Sequence, residues 1–166
     1  AQVTKPLNEI KGLAVISPFK FIDLTTYAKQ LSAYQIPTSE LFDTTKRLAD
    51  LSAGLGVDMN RVMLAYGQVR SAAFLRGQEL RQFTEAGIPM VNALADKFTK
   101  LEGRVVSTGD VFEKISKREV PFEMVKQVIE DLTNEGGKFY MMQEKQAESL
   151  KGKVSNLVDQ YDIMMN

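Results

Sequence analysis

Apolar residues recur at spacings of three and four along nearly the whole chain, and glycine or proline interrupts the pattern at short intervals. One such series is Phe21, Leu24, Ala28 and Leu31, which ends before Pro37. Because each segment is short, the breaks favour compact antiparallel packing of one helix against another. The sequence therefore predicts an all-α fold, a compact domain of about seven to nine helices. The main interruptions are expected at Gly54 with Gly56, Gly77, Gly87 with Pro89, and Gly136 with Gly137.

Several residues mark where helices begin, because short polar side chains cap helix amino ends and proline suits the first turn. The segment 102–109 is the one place where the pattern allows either a loop or a short strand, since Val105 and Val106 are adjacent β-branched residues. Helix starts are predicted at Ser17 with Pro18, Thr38 or Ser39, Asp58, Ser107 or Thr108, and Pro121.

The two ends of the chain differ from its middle. Residues 1–16 are expected to be an N-terminal arm, for which the sequence allows either helix or extended chain, and residues 17–166 are expected to form the helical domain. Since the first residue is Ala1 and the helical pattern reaches Asn166, we expect the chain to be a piece of a longer protein.

Residues 138–166 are predicted to form one long terminal helix with a heptad seam, in which Gln143 and Ala147 are weak positions. Two interpretations stay open. The seam is either the inner face of a helix that lies on its own domain, or the start of a coiled coil through which the protein associates with itself. The seam residues are Tyr140, Leu150, Val154, Leu157, Tyr161 and Met164.

The composition excludes whole classes of function. The chain has no Cys and no His, so thiol nucleophiles, imidazole bases and the usual zinc ligands are absent. Its 21 basic and 21 acidic residues are interspersed, which argues against binding to nucleic acid or to an anionic membrane. No apolar run is long enough for a membrane span. We expect no metal and no cofactor.

Glu148 followed by Ser149 is the strongest hint of catalysis, because lytic transglycosylases carry a catalytic glutamate followed by serine at the end of a helix. The helical pattern continues after Ser149, so the alternative is a solvated helix face. Pairs such as Glu79 with Glu85, or Asp110 with Glu113, are interpreted as surface or capping carboxylates. We predict no catalytic residue.

Three arginines, Arg70, Arg76 and Arg81, are clustered around a predicted turn. They have the charge to bind an acidic partner or nucleic acid. The interleaved Glu79 and Glu85 favour pairing within the chain instead.

Four runs resemble the N-terminal domain of the tape measure proteins of long-tailed bacteriophages, in the order found there. They are LADLSAGLGVD at 48–58, GQVRSAAFLRGQELRQFTEAGIP at 67–89, ISKREVPFEMV at 115–125, and EGGKFYMMQEKQAESLKGKVSNLVDQYD at 135–162. The resemblance does not reach the first 47 residues, and Lys151, Lys153 and Val158 depart from the small and polar residues typical of that place.

The resemblance implies a structural protein of phage or prophage tails. Its length would set the length of the tail tube, and the tube protein would polymerise around it with the aid of assembly chaperones. It would reside in the host bacterial cytoplasm during assembly and then in the interior of the virion tail. Two alternatives remain at this point: a peptidoglycan-cleaving domain that uses Glu148, and a helical adaptor unrelated to tails.

Overall fold

The predicted helical segments form helices in the computed structural model, which describes residues 21–148 and Met164. Within these residues no strand forms, and the one isolated bridge joins Phe74 and Pro121. The predicted all-α fold is therefore confirmed. The helices are α1 Phe21–Ala33, α2 Leu41–Leu55, α3 Met59–Ala72, α4 Gly77–Ala86, α5 Met90–Glu102, α6 Thr108–Ser116 and α7 Phe122–Thr133, followed by α8 at 142–148.

Two of the predicted caps are confirmed by their hydrogen bonds. The Asp58 carboxylate accepts from the amide of Asn60 at 3.0 Å and starts α3. At α6, the Asp110 amide donates to the Ser107 hydroxyl at 3.1 Å, and the Ser107 amide donates to the Asp110 carboxylate at 3.0 Å. This reciprocal pair is a capping box, which satisfies amides that the first turn of a helix leaves without partners.

The predicted cap of α2 at Thr38 or Ser39 is wrong. These residues lie in a short 3₁₀ helix, Thr38–Glu40, in which the Glu40 amide donates to the Pro37 carbonyl at 2.9 Å. Glu40 then becomes the N-cap of α2 and makes no side-chain capping bond. The backbone turn that follows Pro37 takes the place of a side-chain cap.

Glycine ends three helices in the left-handed conformation that a residue without a β-carbon adopts at low cost. Gly56 ends α2 at φ 67°, Gly87 ends α4 at φ 93°, and Gly103 ends α5 at φ 66°. Gly54, predicted as part of the first stop, lies inside α2. Helix α7 ends at Thr133, three residues before Gly136. Within segment 102–109, Glu102 ends α5, residues 103–107 form a loop, and α6 begins at Thr108. Of the two alternatives for this segment, the loop is correct and the strand is not.

Helix α2 lies at the centre of the domain, where it packs against α1, α3 and α7. Helix α4 packs on α3 and α5, and α6 packs on α5. The core is apolar and continuous, as a domain of this size requires. Its fully buried side chains include Leu24, Leu48, Leu51, Met59, Phe83 and Leu94.

The terminal helix begins later than the sequence pattern suggests. Residues 138–141 form turns, with Met141 at φ 51°, and the helix starts at 142. The predicted arm 1–16, the helix start at Ser17 and Pro18, and residues 149–163 of the terminal helix lie outside the described residues.

Candidate interaction surfaces

The seam predicted on the terminal helix is described at two of its six positions. Tyr140 lies half-buried in the turn before α8, and Met164 is helical and 83% exposed. Leu150, Val154, Leu157 and Tyr161 lie outside the described residues, so contact between this seam and a partner stays a prediction.

Gln143, a weak position of that seam, is fully buried against α2 of the same domain. Its backbone amide and its side-chain amide both donate to Asp50 Oδ1, at 3.0 and 3.1 Å. The side-chain amide also donates to the Lys46 carbonyl at 3.1 Å. The first turn of α8 therefore lies on its own domain, as one of the two interpretations of the seam requires.

Lys46 of α2 extends this contact, because it pairs with Asp50 of its own helix and with Glu144 of α8. Lys46 Nζ lies 3.0 Å from Asp50 Oδ2 and 3.3 Å from Glu144 Oε1. Burial by itself would lower the pKa of Lys46, but its hydrogen bond to Asp50 and the charges of Asp50 and Glu144 outweigh that effect and raise the pKa. Lys46 therefore stays charged between two carboxylates.

The carboxylates considered as catalytic candidates differ in their exposure and in their partners. Glu148 is solvent-exposed at the end of the described part of α8. Glu85 pairs with Arg61 at 3.0 Å, and Glu113 pairs with Lys117 at 3.0 Å. Hydrogen bonds from the Ser107 backbone and side chain lower the pKa of Asp110, as expected of a capping carboxylate.

Glu79 is not the surface carboxylate that its sequence position suggested. It is fully buried, its Oε1 accepts from Arg76 Nε at 2.8 Å, and its Oε2 has no hydrogen-bond partner. Helix α4 packs on both α3 and α5, so a position three residues into this short helix is enclosed. The predicted pairing of Arg76 within the chain is confirmed.

The clustered arginines lie in different surroundings. The Arg70 guanidinium lies 5.5 Å from the centre of the Phe122 ring, a cation–π contact. Arg76 and Arg81 instead line a groove between α4 and α6, together with Arg118. The cluster is thus divided between an aromatic contact and an open groove.

This α4–α6 groove has a volume of about 770 Å³. One wall is the exposed side of α4 and the other is α6, while Phe74 lies in the segment that joins α3 to α4. Its lining residues are Phe74, Arg76, Gly77, Leu80, Arg81, Thr84, Glu85, Phe112, Ile115, Ser116 and Arg118.

Backbone hydrogen bonds hold together the two connections that contribute Phe74 and Arg118 to the groove. The Leu75 amide donates to the Val120 carbonyl at 2.8 Å, and the Phe122 amide donates to the Ala73 carbonyl at 2.9 Å. These bonds join the α3–α4 connection to the α6–α7 connection. As a result, Arg118 from the second connection lies over the Phe74 ring of the first, 5.2 Å from its centre.

The groove is not predictable from helical spacing alone, although the sequence contains one signal of an exposed aromatic side chain. Val111 and Phe112 are adjacent in α6, and a helix cannot turn two successive side chains in the same direction. Val111 is fully buried and Phe112 is 54% exposed. Which residues lie opposite Phe112 depends on the tertiary fold.

The described part of the chain contains neither a metal-binding cluster nor a helix that could span a membrane. Among residues 21–148 and Met164, no group of three or more acidic residues is arranged to hold a metal ion. In the same part of the chain, no helix combines the length and the apolar character that crossing a bilayer demands.

A comparison with protein-family models matches residues 1–166, the full chain, to the model described as tape measure protein. The chain belongs to the tape measure protein family. The resemblance in four runs is thereby confirmed, and the match also includes the first 47 residues, which those runs do not reach. Neither the search of curated proteins nor the search of solved structures found a match. Tape measure proteins are structural components of phage tails, so the chain has a structural role in a phage tail.

Proposed function

We propose that this chain is part of a tape measure that sets the length of a phage tail and templates polymerisation of the tail tube. Its partners are then the tail tube protein and the tail assembly chaperones. It acts in the host bacterial cytoplasm during assembly and lies inside the tail afterwards. The observation that supports the proposal is the family match over residues 1–166.

In a ruler, the length that this part of the chain supplies would depend on whether it is folded or extended. A single helix made of the 128 residues 21–148 would be about 190 Å long. A compact domain of that size has a radius of gyration of about 14 Å, which corresponds to a sphere roughly 36 Å across. The folded domain therefore contributes about a fifth of the length that the same residues contribute as an extended helix.

The experiment is a tandem duplication of the codons for residues 21–148 within the tape measure gene of the phage. Tail length is then measured by cryo-electron microscopy. We expect tails that are longer by roughly 36 Å if the second copy folds as the first does, and by up to about 190 Å if it is drawn out as a helix. Either increase supports the ruler.

The matched control expresses the same residues as a separate protein beside an unaltered tape measure gene. A second copy outside the ruler should leave tail length unchanged. Tails of unaltered length in the duplicated phage would contradict a length-setting role for this domain.

The proposed role is non-enzymatic. A glutamate that cleaves a glycosidic bond as a general acid needs a raised pKa, which enclosure in a sugar cleft provides. Glu148 is instead exposed to solvent. We expect no peptidoglycan cleavage by the purified chain. Activity that Glu148→Gln abolishes would overturn this part of the proposal.

Self-association through the terminal seam belongs to the same proposal. A coiled coil that continues past α8 would bury Leu157 and Tyr161 against a second helix. Replacing both by Ser in the full tape measure protein should lower its mass in light scattering to that of the monomer. If the variant and the unaltered protein have the same mass, the coiled coil is contradicted. That result would fit a seam that lies on its own domain.

A further inference from the structure

The α4–α6 groove combines an apolar base with a positively charged rim, and we propose that it binds an acidic amphipathic helix of another protein. The inference concerns a binding surface of this domain, and it does not depend on the length-setting role.

The base of the groove is apolar on both sides. Leu80 of α4 and Ile115 of α6 line it while only 6% and 7% exposed. Phe112 lies beside Ile115 on α6 and remains 54% exposed. A large aromatic side chain that lines a concave surface and stays open to solvent is typical of an anchor point for a partner.

The charge around the groove has one dominant sign. Three arginines and a single glutamate line it. Glu85 is paired with Arg61 at 3.0 Å and Arg76 is paired with the buried Glu79 at 2.8 Å, so the uncompensated charges on the described lining are those of Arg81 and Arg118. Within the described residues, Arg81 makes no ion pair. The chain as a whole has equal numbers of basic and acidic residues, so this positive charge is local. Local charge of one sign selects a partner of opposite sign and accelerates its association.

The dimensions of the groove fit a helix. The lining residues of α4 extend from Gly77 to Glu85, a rise of about 12 Å or slightly more than two turns. A bound helix of that length presents apolar residues at positions i, i+3 or i+4, and i+7 to the base. Acidic residues on either side of that stripe would then meet Arg81 on one wall and Arg118 on the other.

The segments of this chain that lie outside the described residues lack the required charge. Residues 1–20 contain three lysines and one glutamate, and residues 149–166 contain two lysines and two aspartates. Neither segment is acidic. The charges therefore favour an occupant other than these two segments, and the proposal assigns the groove to an acidic helix of another protein.

The test uses the full chain and a series of fluorescently labelled helical peptides. All peptides carry the same row of Leu residues along one face, and their net charge varies from negative to positive. We expect fluorescence anisotropy to show that affinity rises with negative charge and falls as salt is added. The double substitution of Arg81→Glu and Arg118→Glu should weaken binding of the most acidic peptide at least tenfold. Phe112→Ser should weaken every peptide, because it removes the apolar anchor.

Two exposed residues near the other end of α6 supply matched controls. Arg104→Glu makes one such charge reversal, and Val105→Ser replaces an exposed apolar side chain by Ser. Neither side chain lines the groove, and both variants should keep the affinity within twofold of the unaltered chain. All these positions are exposed, and circular dichroism checks that each variant is folded.

Four results would overturn the proposal. The first is that no peptide binds at millimolar concentration, and the second is that the affinity does not depend on peptide charge. The third is that the control substitutions weaken peptide binding as much as the groove substitutions do. The fourth is that the chain associates with itself and that the Arg81 and Arg118 substitutions abolish this association. The last result would assign the groove to a second copy of this chain.

Discussion

A β-carbon added to Gly54 would lie 2.6 Å from Cδ1 of Phe139, closer than side-chain atoms approach in folded proteins. The same β-carbon would lie 3.1 Å from two atoms of Met142. Phe139 is buried and lies within the turn 138–141 that leads into α8. Gly54 therefore occupies the last turn of α2, where glycine is otherwise unfavourable, because its missing side chain admits the C-terminal segment.

We expect Gly54→Ala to lower the free energy of unfolding by about 1–3 kcal/mol, since overpacking forces Phe139 out of its place. Urea denaturation measures the change, and limited proteolysis after Lys145 reports whether α8 has come away. Gly109→Ala is the matched control, because a β-carbon there meets only the Ser107 hydroxyl oxygen at 3.7 Å. It should raise stability by about 0.4–1 kcal/mol. Equal effects at the two glycines would contradict this packing.

Asp50→Ala should detach α8 by a different route. Asp50 is 1% exposed and accepts both amides of Gln143 on one oxygen, so its removal leaves buried donors without an acceptor. We expect a loss of about 2–4 kcal/mol and faster hydrogen exchange at the Gln143 amide. Asp96→Ala, an exposed aspartate of α5, should change stability by less than about 0.5 kcal/mol. Unchanged exchange at Gln143 would show that the Asp50 bond does not hold α8.

Local sequence patterns are sufficient to predict the features of the fold that depend on residues close together in the chain. Asp58 and Ser107 cap their helices through residues two and three positions away, so their roles could be predicted. The burial of Glu79 and the partners of Gln143 depend on helices far apart in the chain. An α-helical spacing indicates which residues share a face, but it does not indicate which helix covers that face.

The same limit applies to the candidate binding surface. Arg76 and Arg81 were recognisable as a cluster because they lie five residues apart. The α4–α6 groove also requires Phe112 and Arg118, which two backbone bonds between distant connections bring opposite α4. The family is recognisable from four runs of sequence, whereas the groove depends on how the helices pack against one another.

Arg76→Leu should destabilise the domain more than the loss of an ordinary surface ion pair. It leaves the carboxylate of Glu79 buried without its cation, and we expect a cost of about 2 kcal/mol or more in chemical denaturation. Adding Glu79→Leu to that variant should restore most of the loss, because the uncompensated charge is then gone. Arg61→Leu breaks the exposed pair with Glu85 and should cost about 0–1 kcal/mol. Similar costs for Arg76→Leu and Arg61→Leu would mean that Glu79 is solvated in solution.

The capping box of α6 makes a prediction about acid sensitivity. The pKa of Asp110 is lowered from its ordinary value of 3.8, mainly by the hydrogen bond from the Ser107 amide and then by that with the Ser107 hydroxyl. Because the folded pKa lies below the unfolded one, this carboxylate stabilises α6 fully above pH 3.8, and its contribution is lost as the pH falls through the folded pKa. A carbon-13 titration of the Asp110 carboxyl should give a pKa below 3.8, and Ser107→Ala should move that pKa upward. Ser116→Ala removes a hydroxyl from the opposite end of α6 and should leave it unchanged. A pKa of Asp110 that is the same in the Ser107→Ala variant and the unaltered chain would show that the Ser107 hydroxyl does not contribute to the cap.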